Sequence, residues 1–150
     1  MKFYSLNRKV HSWLAIIVVA PLLVIALTGI LLQIKKHAVW IQPFEHHGSG
    51  APAISLPDVL EACRREPTAG ISEWGHIARI DIRPDKSLVK VTSATRWEVQ
   101  IDAGTGKVLQ TAQRRSDLIE SIHDGSWIHP AAKLGVFLPV GIGLGVLLIT

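Results

Sequence analysis

Two long apolar runs dominate the pattern of hydrophobic and polar positions. Residues 12–34 carry no formal charge over 23 consecutive positions. At a rise of about 1.5 Å per residue this run makes a helix about 34 Å long, which exceeds the roughly 30 Å of a bilayer core. The run is also longer than the apolar part of a signal peptide. It therefore predicts an uncleaved transmembrane helix over 12–34, preceded by a short N-terminal segment over 1–11.

The second apolar run covers residues 134–150, which are 17 positions. Its helical length of about 25 Å is the lower edge of what spans a bilayer, so the run either barely spans or continues in a longer natural chain. It predicts a second transmembrane helix over 131–150, with a buried core helix as the alternative. Gly141 and Gly145 form a G-x-x-x-G pattern. Such a pattern admits a closely packed partner helix, from the first span or from a second copy of the chain.

The polar segment between the runs opens with a helix signature. Ser55 is a candidate N-cap, Pro57 falls in the first turn, and Asp58 stands three residues after the cap. One apolar face of this helix is formed by Leu56, Val59, Leu60 and Cys63. We therefore expect a one-sided helix in which the thiol of Cys63 is buried and structural.

Four later stretches alternate apolar and polar side chains with a period of two, as strands do. In the first of them Ala78, Ile80 and Ile82 are the apolar set. The four stretches are 78–83, 89–92, 96–101 and 108–111, separated by turn sequences at 84–87 and 102–106. This pattern predicts an antiparallel four-stranded sheet in which each strand turns one apolar face to the helix. A second short helix is expected from Ser116.

These elements together predict a membrane protein in which two transmembrane helices flank a small α+β domain, a helix plus an antiparallel four-stranded sheet. The domain is expected over 54–123. Residues 35–53, with Gly, Pro and a His pair, are expected to form a linker. Arg114 and Arg115 are expected in a solvated turn.

The net charge of +4 does not indicate a nucleic-acid partner. Six cationic residues flank the apolar runs: Lys2, Arg8, Lys9, Lys35, Lys36 and Lys133. Residues 51–130 contain ten Lys and Arg and eleven Asp and Glu, so their charges nearly balance. The basic surplus therefore suits phospholipid headgroups. A single cysteine excludes an internal disulfide and a cysteine-rich metal site, and three cations on either side of the first span leave the membrane orientation open.

Four segments carry a resemblance to a known family. They are 8–14 (RKVHSWL), 27–31 (LTGIL), 97–109 (WEVQIDAGTGKVL) and 122–125 (IHDG). In this order they resemble PepSY-associated transmembrane proteins: the entry and exit of the first span, the strand, turn and strand that end a PepSY domain, and a Leu-His-x-Gly motif entering the next helix.

The resemblance implies a PepSY domain in the periplasm and both termini in the cytoplasm of a bacterium, so the chain is expected in the inner membrane. Several family members serve iron uptake, and some reduce ferric siderophores through haems that histidines of the transmembrane helices hold. Those proteins usually have four spans. This chain resembles one half of such a unit, which implies a homodimer or a partner transmembrane subunit.

The family positions of the haem ligands match His11 and His123. Within one chain these two histidines lie at opposite faces of a layer about 30 Å thick, so they are not expected to share one haem b. Two copies of His11 could hold one haem, and His123 could pair with its symmetry mate or with His37. The alternatives are interfacial or headgroup contacts for each. His46 and His47 are either a metal-binding pair or solvated linker residues.

The expected function is haem-mediated electron transfer across the membrane in ferric-siderophore reduction, with the chain as a reductase or a subunit of one. The sequence contains no pattern of a catalytic nucleophile with its base, a phosphate loop or a zinc set. A second reading is a membrane-tethered PepSY module without redox activity that binds or inhibits a periplasmic peptidase. A third is an assembly subunit that donates helices to another protein's bundle.

Overall fold

The computed structural model describes residues 2–149, with side chains at 8–9, 11–146 and 148–149. Residues Lys35–Ser116 form one compact unit, and the described residues before and after them form another. The helices are α1 (Lys2–Gln33), α2 (Leu56–Arg64), α3 (Ser116–His123) and α4 (Leu138–Ile149). The strands are β1 (Ile77–Arg83), β2 (Leu88–Ser93), β3 (Trp97–Asp102) and β4 (Val108–Gln113).

The helical unit contains the long apolar helix that the first run predicts. Within α1, His11–Gln33 is apolar enough and, at 23 residues, long enough to cross a membrane, and only 11% of its most apolar window is buried. The next apolar helix in the described residues, Lys133–Val146, is shorter than a span. It begins with a π-helical turn at Lys133–Phe137 and continues into α4. The second span predicted over 131–150 therefore stays a prediction.

Helices α1 and α4 pack against each other through a glycine that the G-x-x-x-G pattern does not include. A β-carbon on Gly143 would lie 3.2 Å from Cγ2 of Val18, a residue that is itself buried. By contrast, a β-carbon on Gly141 or Gly145 would meet no atom within 4 Å. The contact inside the chain thus uses Gly143, and the surface at Gly141 and Gly145 stays open.

The connection from α3 to α4 is built around Gly125. This residue follows the last turn of α3 with a φ of +79°, a left-handed conformation that favours glycine. A β-carbon at Gly125 would lie 2.2 Å from Cε2 of Phe137. An ion pair of 2.7 Å between Lys133 Nζ and Asp124 bridges the same connection, and it lowers the pKa of the Asp124 carboxyl.

The second unit is an antiparallel sheet in the order β1-β2-β3-β4, with α2 against one face. Ser55 and Asp58 form the predicted capping box at the start of α2. The thiol of Cys63 is buried as predicted, and burial raises its pKa to about 11. Leu56 was expected on the same apolar face, but its side chain is exposed. The core between α2 and the sheet contains Val59, Leu60, Cys63, Val89, Val91, Val99 and Ile101.

The apolar face predicted for the first strand is wrong in part. The pairing of β1 with β2 shifts between Ile77 and Arg79, so that Ala78 has no direct partner. Such a bulge interrupts the alternation of faces. Ile82, expected in the core, is 55% exposed, and Ile80 is half-buried. β1 is an edge strand, which explains why its side chains are less covered than those of β2 and β3.

β2 and β3 turn the predicted apolar face to α2, and their polar face is buried as well. Gln100 is fully buried because the segment 41–49 lies across it: its Nε2 donates to the carbonyl of Phe44 at 2.8 Å, and its Oε1 accepts from the His46 N–H at 2.9 Å. Residues 35–53, predicted to be a linker, contain no helix or strand and belong to the compact unit Lys35–Ser116. The 41–49 part is nevertheless a fixed layer of the sheet module.

Charged side chains beside the segment 41–49 contact partners of opposite charge. Glu98 is 1% exposed and accepts from Arg114 at 2.7 Å. Glu45 pairs with Lys86 and with Lys90, and their hydrogen bonds lower the pKa of Glu45 to about 2. The solvated turn expected at Arg114 is therefore wrong, because a carboxylate buried at Glu98 requires a cation beside it.

The lowered pKa of Glu45 predicts a pH-dependent contribution to stability. The Glu45→Gln variant should lose about 1–3 kcal/mol of unfolding free energy at pH 7, because Lys90 is buried and loses a charged partner. The ordinary glutamate pKa is 4.5 and the folded value is about 2, so the wild-type advantage is complete above 4.5 and disappears as the pH falls toward 2. Urea unfolding in detergent, followed by tryptophan fluorescence at several pH values, measures this difference.

Glu61→Gln is the matched control. Its ion pairs with Arg64 and Arg65 are exposed, so its loss should stay below about 0.5 kcal/mol. An equal loss in the two variants, or a Glu45→Gln deficit that does not shrink on acidification, would contradict the pairing.

Gly125→Ala should destabilise the helical unit by about 2–4 kcal/mol. The new methyl group meets the ring of Phe137 in addition to the strain of a left-handed backbone. Gly70→Ala separates the two effects, because its φ is +65° but nothing lies within 4 Å of the added carbon. That control should lose only about 1–2 kcal/mol, again in detergent unfolding. Equal losses would mean that the Phe137 ring is not fixed against Gly125.

Candidate functional site

The His123 side chain packs against the C-terminal part of α1. Its Nδ1 lies 2.9 Å from Oγ1 of Thr28, and both residues belong to the helical unit. A β-carbon on Gly29 would lie 3.5 Å from Cε1 of the same ring, which is ordinary contact. The imidazole is thus held at the Thr28-Gly29 step near the end of the apolar helix.

The hydrogen bonds of Thr28 assign the tautomer of His123. Thr28 Oγ1 lies 2.5 Å from the carbonyl oxygen of Val24, and a carbonyl only accepts, so the single hydroxyl proton points there. Toward His123 the hydroxyl oxygen must then accept, which places a proton on Nδ1. In a neutral ring this leaves the lone pair on Nε2, the atom with which an imidazole commonly binds a metal.

The local sequence explains why His123 lies at this position. It is the last residue of α3, and the left-handed Gly125 ends that helix two residues later. The N–H of Gly125 donates to the carbonyl of Ile122, and the N–H of Trp127 donates to the carbonyl of Ser121. These bonds close the end of the helix, so the His-x-Gly spacing fixes the backbone directly beside the imidazole.

The structure keeps His11 and His123 apart within one chain. His11 precedes Thr28 by 17 residues on the same helix, a separation of about 26 Å at the rise of an α-helix. His123 contacts α1 at Thr28, so one small cofactor cannot reach both imidazoles. His37 is exposed and belongs to the sheet unit. Haem binding by these three histidines stays a prediction.

The other histidines make local contacts. His76 Nδ1 accepts from the N–H of Ser72 at 3.3 Å, and His129 Nδ1 accepts from the N–H of Ala131 at 3.1 Å. His46 and His47 are exposed, as solvated residues would be. In the described part of the chain no three His, Cys, Asp or Glu side chains form a cluster suited to a metal ion.

The chemistry of the His123 site fits a haem b, which the imidazole would hold through one ring nitrogen. The ring of His123 is oriented by its contact with Thr28, and it lies against the apolar helix α1. A low-spin haem b needs a second axial donor. His123 would supply one such donor at this end of α1.

Sequence reasoning did not give Thr28 a role. The residue stands in the segment 27–31 (LTGIL) that carries the family resemblance, but a threonine in an apolar helix commonly bonds only to its own backbone. A polar residue beside a glycine, late in an otherwise apolar span, is the signal that could have indicated a partner for a histidine.

Comparison with known proteins places nearly the whole chain in one family. A family model described as the PepSY-associated TM region matches residues 8–150. No curated protein matches the chain, and no solved structure matches it either. The matched range includes α1, the sheet module and His123, and the apolar helix supports a location in a membrane. The chain is thus a membrane protein that belongs to the PepSY-associated transmembrane family.

Proposed function

We propose that the chain holds haem b in a bacterial inner membrane and conducts electrons to ferric siderophores in the periplasm, as one half of a reductase. The observation that carries this proposal is the hydrogen bond from His123 to Thr28. A histidine that serves only as a headgroup contact would not need a fixed ring and tautomer. Metal-binding histidines characteristically have their second ring nitrogen fixed by such an acceptor.

In this proposal His123 would hold the haem through Nε2, and Thr28 would position the imidazole. The hydroxyl of Thr28 holds the proton on Nδ1 and keeps Nε2 as the donor. When bound, the haem supplies one-electron transfer through its iron.

The second axial donor is proposed to come from a second copy of the chain. Within the helical unit His11 lies about 26 Å from Thr28 along α1, so it cannot complete a ligand set at His123. The open surface at Gly141 and Gly145 allows another helix to approach closely. A homodimer would pair each His123 with its symmetry mate, and each His11 likewise at the other end of α1.

The peptidase-binding alternative requires an open surface on the sheet module. Both faces of β2 and β3 are buried, one by α2 and the other by the segment 41–49. The sheet still has two edge strands, β1 and β4. Peptide binding at an edge strand is therefore the alternative that a failed haem experiment would favour.

The protein in native membranes or detergent, supplied with haem, should show a reducible Soret band. His123→Ala should remove the part of the absorbance that belongs to the haem at this end of α1. Thr28→Val should weaken haem retention by about 10- to 100-fold, because the ring loses its orienting acceptor. Thr28→Ser keeps the hydroxyl and should restore retention, an outcome that a purely structural role for the threonine methyl would not give.

His76→Ala and His129→Ala are the matched controls and should leave the spectrum unchanged. His37→Ala separates the two ligand pairings, because only a His37–His123 pair would lose absorbance with it. A folded wild-type protein that stays colourless with excess haem would refute the redox proposal and favour the tethered binding module.

A further inference from the structure

The sheet unit contains a basic cavity that the haem proposal does not use. Its volume is about 600 Å³, and it lies beside the segment 41–49. Seven cationic side chains line it against two carboxylates, Glu45 and Asp81. All of its lining residues belong to Lys35–Ser116.

Ion pairs within the sheet unit neutralise only some of these seven cations. Glu45 neutralises Lys86 and Lys90 together, and Asp81 lies 3.0 Å from Arg79 Nε. Arg114 pairs with Glu98 behind the cavity. Three further cations, Lys35, Lys36 and Arg83, line the cavity and have no ion partner among the residues that the structure describes.

An amide in the cavity wall also lacks a partner. Gln42 lines the cavity, and its side-chain oxygen is buried without a hydrogen bond. Buried amide groups are nearly always satisfied. The two ends of an amide have almost the same shape, so a rotation of the group would present two N–H donors at the same place. Gln42 could then donate to an oxyanion.

We propose that this cavity binds a multiply charged oxyanion, a phosphate group, through Lys35, Lys36, Arg83 and the Gln42 amide. Lysine and arginine form charge-assisted hydrogen bonds with phosphate oxygens. The three cations without an ion partner are enough to neutralise a phosphate dianion. The carboxylate of Glu45 between Lys86 and Lys90 shows that the walls of the cavity already hold one oxyanion group.

Phosphate is the favoured oxyanion because of where two of these cations stand in the chain. Lys35 and Lys36 follow the apolar stretch His11–Gln33 almost directly. Lysines at the end of a span reach lipid headgroups, where phosphate is abundant. The phosphate group can therefore come from an anionic phospholipid or from a soluble phosphate compound. This inference is independent of the haem proposal.

Two measurements on the full chain distinguish these sources. In the first, inorganic phosphate is titrated by calorimetry into the protein in nanodiscs of phosphatidylcholine at low ionic strength. In the second, native mass spectrometry counts the phosphatidylglycerol retained by the protein from nanodiscs that contain both lipids. Arg83→Glu should weaken phosphate binding at least about tenfold or reduce the retained phosphatidylglycerol, and added salt should do the same in the wild type.

Lys107→Glu is the matched control, because it makes the same charge change at an exposed residue outside the cavity. Arg83 is exposed too, so both variants should fold, which circular dichroism verifies. An effect of Arg83→Glu in the first measurement indicates soluble phosphate, and an effect only in the second indicates a headgroup. The proposal is overturned if neither probe binds, or if Arg83→Glu and Lys107→Glu behave alike in both measurements.

Discussion

The sheet module depends on the pairing of a buried carboxylate. Glu98 lies in β3 with almost no access to water, and an unpaired charge there would cost several kcal/mol. Arg114, just after β4, supplies the partner, and Lys90 of β2 lies 4.0 Å away on the other side. Beside them Gln100 takes its hydrogen bonds from the segment 41–49. The need to satisfy these groups attaches the chain that follows α1 to the sheet.

The helical unit depends on the hydrogen bonds of a buried group that is polar but uncharged. Thr28 is buried in an apolar helix, and its hydroxyl has a proton to donate and a lone pair to fill. Val24 takes the proton, and the His123 ring fills the lone pair. In both units a polar group in apolar surroundings selects its neighbour. The selected neighbours are Arg114 in one unit and His123 in the other.

The sequence predicted the elements whose pattern is local. The capping box at Ser55, the burial of Cys63 and the four antiparallel strands are confirmed because each depends on spacing within a few residues. The bulge in β1 and the layer at 41–49 were missed, since neither has a periodic signature. The layer is recognisable only when Gln100 and Phe44, which are 56 residues apart, come into contact.

The candidate site also combines a local pattern with a contact between residues far apart in the chain. The family resemblance indicated His123, but an imidazole becomes a defined ligand only through its orientation, and Thr28 lies 95 residues away in the chain. One oriented imidazole at that end of the helix, with the next on α1 about 26 Å away, is half of what a six-coordinate haem requires. Because α4 meets α1 through Gly143 and leaves Gly141 and Gly145 open, the chain retains a surface where, in the proposed function, a second copy would bring the second imidazole.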